Sequence, residues 1–145
     1  MSTLAVNNPV SAQESSSQTT YSKSSGSWIK SGSRWWYKHS DGSYTTNGWE
    51  KIGDTWYYFD SEGWMKTGWI KESGNWYYLD DSGAMKTGLQ TIGGNEYYLS
   101  TSGAMQTGWH NIGDDTYFFA DSGARQTINR RALVLGETST RAVPI

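Results

Sequence analysis

The large apolar residues of this chain come in short bursts separated by polar, glycine-closed stretches. The bursts are Trp35-Trp36-Tyr37, Trp56-Tyr57-Tyr58-Phe59, Trp76-Tyr77-Tyr78-Leu79, Glu96-Tyr97-Tyr98-Leu99 and Thr116-Tyr117-Phe118-Phe119, the last two keeping the register with a polar residue in the opening place. Short aromatic runs bounded by Gly, Asp, Asn and Ser predict strands rather than helices. Each burst opens seven residues after Trp28, Trp49, Trp69, Leu89 or Trp109, and those five positions recur at intervals of 21 or 20 residues. Such a period predicts an array of like units in place of one irregular domain.

A glycine closes the turn after every burst, at Asp41-Gly42, Ser61-Glu62-Gly63, Asp81-Ser82-Gly83, Thr101-Ser102-Gly103 and Asp121-Ser122-Gly123. Those glycines are expected to take positive φ. The segments that follow, Trp64-Met65-Lys66-Thr67-Gly68, Ala84-Met85-Lys86-Thr87-Gly88 and Ala104-Met105-Gln106-Thr107-Gly108, read as second strands leading into the next unit. One hairpin and one connecting loop therefore fill each period. A lone hairpin is marginal in water, but consecutive hairpins can cover one another's aromatic faces. The predicted fold class is all-β, a solenoid of stacked β-hairpin repeats with about five units of 20 residues.

The repeat module is placed at residues 27–127. Residues 1–26 form a Ser/Thr-rich leader with too little apolar surface to repay the entropy of ordering, so flexibility is expected there. Within it, Leu4-Ala5-Val6 and Val10-Ser11-Ala12 have the form of a signal-peptide end cut after Ala12, a linker end being the other reading. Residues 128–145 hold Arg130, Arg131 and Arg141 without any aromatic residue or repeat signature.

Composition changes the picture of the core. Nine Trp, ten Tyr and three Phe stand where Leu, Ile and Val do the work in ordinary domains, so rings must supply the burial. The net charge is -2 and no Lys/Arg stripe runs among the aromatics, which argues against nucleic acid. There is no cysteine, hence no disulfide or thiol metal site, and no apolar run long enough to insert in a membrane. His39 and His110 lack partners at ligand spacing, so no metal is expected and both histidines are placed on the surface. Asp60, Asp80, Asp81 and Asp121 fall where a short acid caps its own turn, and no serine sits in a nucleophile context. No catalytic residue and no cofactor are expected, and the chain is read as not an enzyme.

Side chains alternate along a strand, so Trp56 and Tyr58 point one way and Tyr57 and Phe59 the other. Tyr57, Phe59, Tyr77, Leu79, Tyr97 and Phe119 are expected as core. The other row can line the groove where one repeat meets the next, with two indoles from one unit and a phenol from its neighbour forming an electron-rich box. A quaternary ammonium suits such a box, because it cannot donate a conventional hydrogen bond yet is drawn to ring faces while its methyls lose water. Each ring contact is worth roughly 0.5–2 kcal/mol, so a three-ring box implies binding on the order of millimolar per site.

The stretch Gly48-Trp49, six residues, Trp56-Tyr57-Tyr58-Phe59-Asp60, two residues, Gly63-Trp64-Met65-Lys66-Thr67-Gly68 resembles the choline-binding repeat of Gram-positive bacterial surface proteins. The resemblance covers residues 28–127 and implies a left-handed superhelix with choline held between consecutive hairpins. Carried over position by position, it implies one site from Trp28, Trp35, Tyr58 and Met65, a second from Trp49, Trp56, Tyr78 and Met85, and a third from Trp69, Trp76, Tyr98 and Met105. A fourth box would need Leu89, Glu96, Phe118 and Arg125, and is expected to be dead because it has lost both indoles and its methionine. The first repeat also departs from the pattern, with Lys38-His39 after its run and one extra residue before Gly48.

The resemblance further implies choline or phosphorylcholine of teichoic or lipoteichoic acid as the partner, a secreted protein on the cell wall, and a monomer that pairs at most as a weak homodimer. Two alternatives stand beside it. One is a glucan- or carbohydrate-binding aromatic repeat; the other is the wall-binding part of a hydrolase.

Overall fold

A computed structural model describes residues 26–127. All of the leader except Gly26, and the whole 128–145 segment, lie outside the described residues. Eleven strands follow one another: β1 Gly26–Ser31, β2 Arg34–His39, β3 Gly48–Ile52, β4 Thr55–Phe59, β5 Gly68–Glu72, β6 Asn75–Leu79, β7 Gly88–Ile92, β8 Asn95–Leu99, β9 Gly108–Ile112, β10 Asp115–Phe119 and β11 Arg125–Gln126. There is no helix among the described residues. Consecutive strands pair as antiparallel hairpins, β1-β2 through β9-β10, with β11 added beside β10. The expected all-β array of five hairpins is what forms.

The hairpins are built differently from the sequence expectation. Each pairs the strand that begins at the Gly-Trp step with the aromatic run after it, as in Trp49 opposite Tyr58 and Lys51 opposite Trp56. Two-residue loops make this possible. Gly53 (φ 67) and Gly113 (φ 65) start loops in the left-handed region, while Ser73-Gly74 and Gly93-Gly94 have positive φ at both positions. Such mirror-image turns match the right-handed strand twist and lock the register. The segments after Gly63, Gly83 and Gly103, expected as full second strands, contribute single bridges, Phe59 to Met65, Leu79 to Met85 and Leu99 to Met105. Their closing glycines do adopt positive φ, as at Gly63 (91°) and Gly83 (86°).

Two compact units divide the contacts: residues up to Ile70 with Tyr78–Met85, and Lys71–Tyr77 with the chain from Lys86 onward. In the first, Phe59 and Leu79 are fully buried, with Tyr37, Tyr44, Trp64 and Ile70 also in the core; in the second, Leu99 and Phe119 are fully buried. These are the fourth residues of their runs. Tyr57, Tyr77 and Tyr97, expected as core beside them, are half-buried.

Within the first unit, Met65 N–H donates to the Trp35 carbonyl (2.8 Å) and Met85 N–H to the Trp56 carbonyl (3.0 Å), tying each hairpin to the one before it. Met105 N–H donates to the Trp76 carbonyl (2.8 Å) in the second unit. The methionine side chains demand glycine at the next turn: a Cβ at Gly83 would meet the Met65 sulfur, and one at Gly123 the Met105 sulfur. The turn acids act as expected at two places. Asp60 Oδ1 accepts from the N–H groups of Glu62 (2.8 Å) and Trp64 (2.9 Å), and Asp80 Oδ1 from those of Ser82 (2.9 Å) and Ala84 (3.1 Å).

His39 is a correction. Expected on the surface, it is 4 % exposed, and Glu50, 2 % exposed, lies against it. Its Nε2 sits 3.0 and 2.9 Å from the two Glu50 oxygens, while Thr45 Oγ1 donates to Glu50 Oε1 at 2.7 Å. Ser43 Oγ donates to Asp41 (2.7 Å), which leaves that oxygen to accept from His39 Nδ1 at 2.9 Å. Both ring nitrogens thus have a hydrogen-bonding neighbour, Ser43 on one side and Glu50 on the other. The pair joins the first hairpin to the second. Burial pushes the Tyr37 phenol up, and the Glu50 carboxylate nearby adds to the shift.

Candidate functional site

Hairpin geometry decides which rings share a face. Trp28 stands opposite Tyr37 and Trp35 opposite Lys30, so both indoles of the first hairpin project from one side. Their ring centroids are 6.5 Å apart at 82°, forming a right-angled corner. The second hairpin repeats the arrangement, Trp49 lying on Tyr58 at 5.1 Å and Trp56 standing opposite Lys51. In the third, Trp69 lies on Tyr78, also at 5.1 Å.

Exposure separates the two indoles of the first three hairpins, while in the fifth Trp109, at the Gly-Trp step, is itself 43 % exposed. Trp28, Trp49 and Trp69 are half-buried, whereas Trp35 (37 %), Trp56 (37 %) and Trp76 (40 %) are exposed. Three large rings are left open at one equivalent position, each with its backbone carbonyl accepting from the N–H of a methionine, and present electron-rich faces to solvent. A ring face binds a soft cation best where the approach is open and the walls are apolar.

The structure brings Trp28, Trp35 and Met65 of the expected first set together. Tyr58 is close to Met65 along the chain ladder, its carbonyl accepting from Lys66 N–H at 2.8 Å, while its ring lies on Trp49 of its own hairpin. The phenol that the second hairpin lays against Trp28 is Tyr57, at 4.8 Å, with Phe59 stacked at 6.0 Å. In the second set, Trp56 and Met85 are joined through the backbone, and Trp49 and Tyr78 belong to the same compact unit. For the third set, Trp76 and Met105 are joined, and the Tyr98 carbonyl accepts from Gln106 N–H at 2.8 Å. Trp69 belongs to the other unit and is placed on Tyr78.

The fourth set is chemically different. Arg125 Nη1 donates to Glu96 Oε1 at 2.8 Å, and the guanidinium lies 4.3 Å over the Tyr117 ring. Phe118 packs on Trp109 at 4.8 Å, and Leu89 stands opposite Tyr98. An ion pair thus occupies the places that hold an indole and a methionine elsewhere.

Two features were missed from the sequence. Lysines stand beside the exposed indoles, Lys30 Nζ 5.8 Å over Trp35 and Lys71 Nζ 5.9 Å over Trp76. Arg34 lies 4.0 Å over Trp64 and helps to bury it. The recurrence of Lys two residues after the Gly-Trp step at Lys51 and Lys71 was a readable signal for the first. No group of three or more metal-ligating side chains exists among the described residues.

Fold and geometry together define a hairpin-repeat module with an open two-indole corner on its first hairpin. A family model described as the choline-binding repeat matches residues 46–87 and 86–130, more than half of the chain. CbpJ from Streptococcus pneumoniae is 44 % identical with a TM-score of 0.67, over 71 % of this chain and 36 % of that one. Choline binding protein F from the same organism is 41 % identical, TM-score 0.67, with coverage of 71 % and 36 %. A multimodular pneumococcal cell wall endolysin from phage Cp-1, solved in complex with choline, is 41 % identical, TM-score 0.63, with coverage of 71 % and 32 %. No curated protein matches this chain in sequence. The chain belongs to the choline-binding repeat family. It spans about a third of the length of these solved relatives. The repeat module itself is non-catalytic.

Proposed function

We propose that this chain binds choline or phosphorylcholine carried on teichoic or lipoteichoic acid, and so holds itself to the bacterial cell wall from outside. The observation that carries this is the open right-angled indole corner of the first hairpin, Trp28 against Trp35, with its sequence equivalents at Trp49 and Trp56 and at Trp69 and Trp76. The ligand is enclosed by Trp28, Trp35, Tyr58 and Met65 and by Trp49, Trp56, Tyr78 and Met85, and the repeat pattern of the sequence implies Trp69, Trp76, Tyr98 and Met105 as a third set. Tyr57 adds a wall to the first cage. The chain acts by binding, without a reaction of its own, and pairs with a second copy at most weakly.

Weak single sites suffice for attachment. Several cages on one array, meeting a polymer that repeats its headgroup, gain through effective concentration. A phage endolysin solved with choline supports the ligand, and choline binding protein F, studied in the presence of a peptidoglycan analogue, supports a wall setting. Ligand binds the folded state and should stabilise it. Thermal unfolding with about 20–100 mM choline, some tens of times a millimolar Kd, should raise the midpoint by several degrees. An unchanged midpoint, with retention on dextran instead of a quaternary-amine resin, would favour the carbohydrate alternative.

A further inference from the structure

We propose that the lysine facing each exposed indole, Lys30, Lys51 and Lys71, reads the phosphate of the ligand and makes the cages prefer phosphorylcholine over free choline; this rests on the choline assignment above. Lys30 is the cross-strand partner of Trp35 and Lys51 that of Trp56. Lys71 Nζ lies 5.9 Å over Trp76, matching the 5.8 Å of Lys30 over Trp35. Side chains of directly opposed residues share one face of a hairpin, so Lys30 and Lys51 project on the same side as Trp35 and Trp56.

Where the indole that opens the aromatic run is lost, the lysine opposite it is lost with it, the exposed Trp109 of the fifth hairpin standing at the Gly-Trp step instead. Thr91 faces Glu96 in the fourth hairpin, and Asn111 faces Thr116 in the fifth. Solubility or strand propensity alone would not tie the two positions together.

The charge arithmetic points the same way. An ammonium beside a cage built for another cation costs affinity through like-charge repulsion, and it competes for the same ring face. Three repetitions of that cost make sense when the ligand carries an anion next to its cation. Phosphorylcholine does, its phosphate being separated from the trimethylammonium by a two-carbon link. Once the quaternary group displaces the lysine from the ring, the released ammonium meets the phosphate at the cage mouth, where it is partly solvated and sensitive to salt. The bland reading is that each lysine stem merely covers indole surface. That reading predicts no dependence on the phosphate.

The test uses the full chain and its Lys30→Met/Lys51→Met/Lys71→Met variant, titrated with choline and with phosphorylcholine while tryptophan fluorescence is followed. The wild-type chain should prefer phosphorylcholine about fivefold per site, the scale of one solvent-screened ion pair, and the preference should shrink in high salt. The methionine variant should bind choline at least as tightly and lose the preference, while a triple Lys→Arg variant should keep it. A phosphorylcholine-to-choline ratio that is the same in wild type and the methionine variant would overturn the role of the lysines and leave the cages standing. Failure of the wild type to bind either ligand would overturn the cages themselves.

Discussion

The junction after the first hairpin and the junction after the fourth are both crossed by an ion pair, yet the two pairs do opposite things. His39 and Glu50 are buried at positions outside the indole set, so the first junction is fastened while Trp28 and Trp35 stay open as a corner. Arg125 and Glu96 sit at the cage positions themselves, with side chains 46 % and 30 % exposed, and Arg125 puts the chain's own cation over a ring. One junction is fastened beside its ligand site; the other is fastened in place of it. A repeat array can therefore keep its hairpins while giving up binding at a single interface, because packing rests on buried residues such as Leu99 and Phe119, which do not line the cage.

The largest effect should come from breaking the buried pair. Glu50→Ala leaves His39 without its carboxylate in an apolar setting and should cost about 3–5 kcal/mol, measured by denaturant unfolding. A loss below about 1 kcal/mol would mean that the pair does not fasten the first junction. Trp35→Ala should be milder for the fold, since the ring is already 37 % exposed. It removes one wall worth roughly 0.5–2 kcal/mol of cation binding, so the titrated choline capacity should fall by one site while the others persist. Unchanged capacity would take Trp35 out of the cage.

The smallest effect belongs to the exposed pair. Arg125→Met should change stability by no more than about 1 kcal/mol and leave choline binding at the other junctions unaltered. A drop in choline capacity in that variant would show that the fourth junction binds after all.

Much of the fold was legible because a 20-residue period and an apolar fourth residue in four of the five runs, Phe59, Leu79, Leu99 and Phe119, are local features of the sequence, and all four of those residues are fully buried. The hairpin partner was harder. Asp-Ser-Gly looked like the hairpin turn, whereas Gly53-Asp54 and its equivalents, one residue beyond Ile52, make the two-residue loops that set the register. Both turns need positive φ, so residue type alone does not rank them. His39 was misplaced because its partner lies 11 residues away, across the irregular first connection. Arg125 could be seen to spoil its box, but its pairing with Glu96, 29 positions away, depends on how one hairpin stacks on the next. Whether Tyr57 or Tyr58 reaches Trp28 is likewise set by stacking, since alternation fixes only that they face opposite ways.

The most direct test is a count. Equilibrium titration of the full chain with choline, read by calorimetry or tryptophan fluorescence, should give three weak sites per chain, with the fourth junction silent. Four sites would contradict the replacement of ligand by the Arg125–Glu96 pair, and none would contradict the cages as a whole.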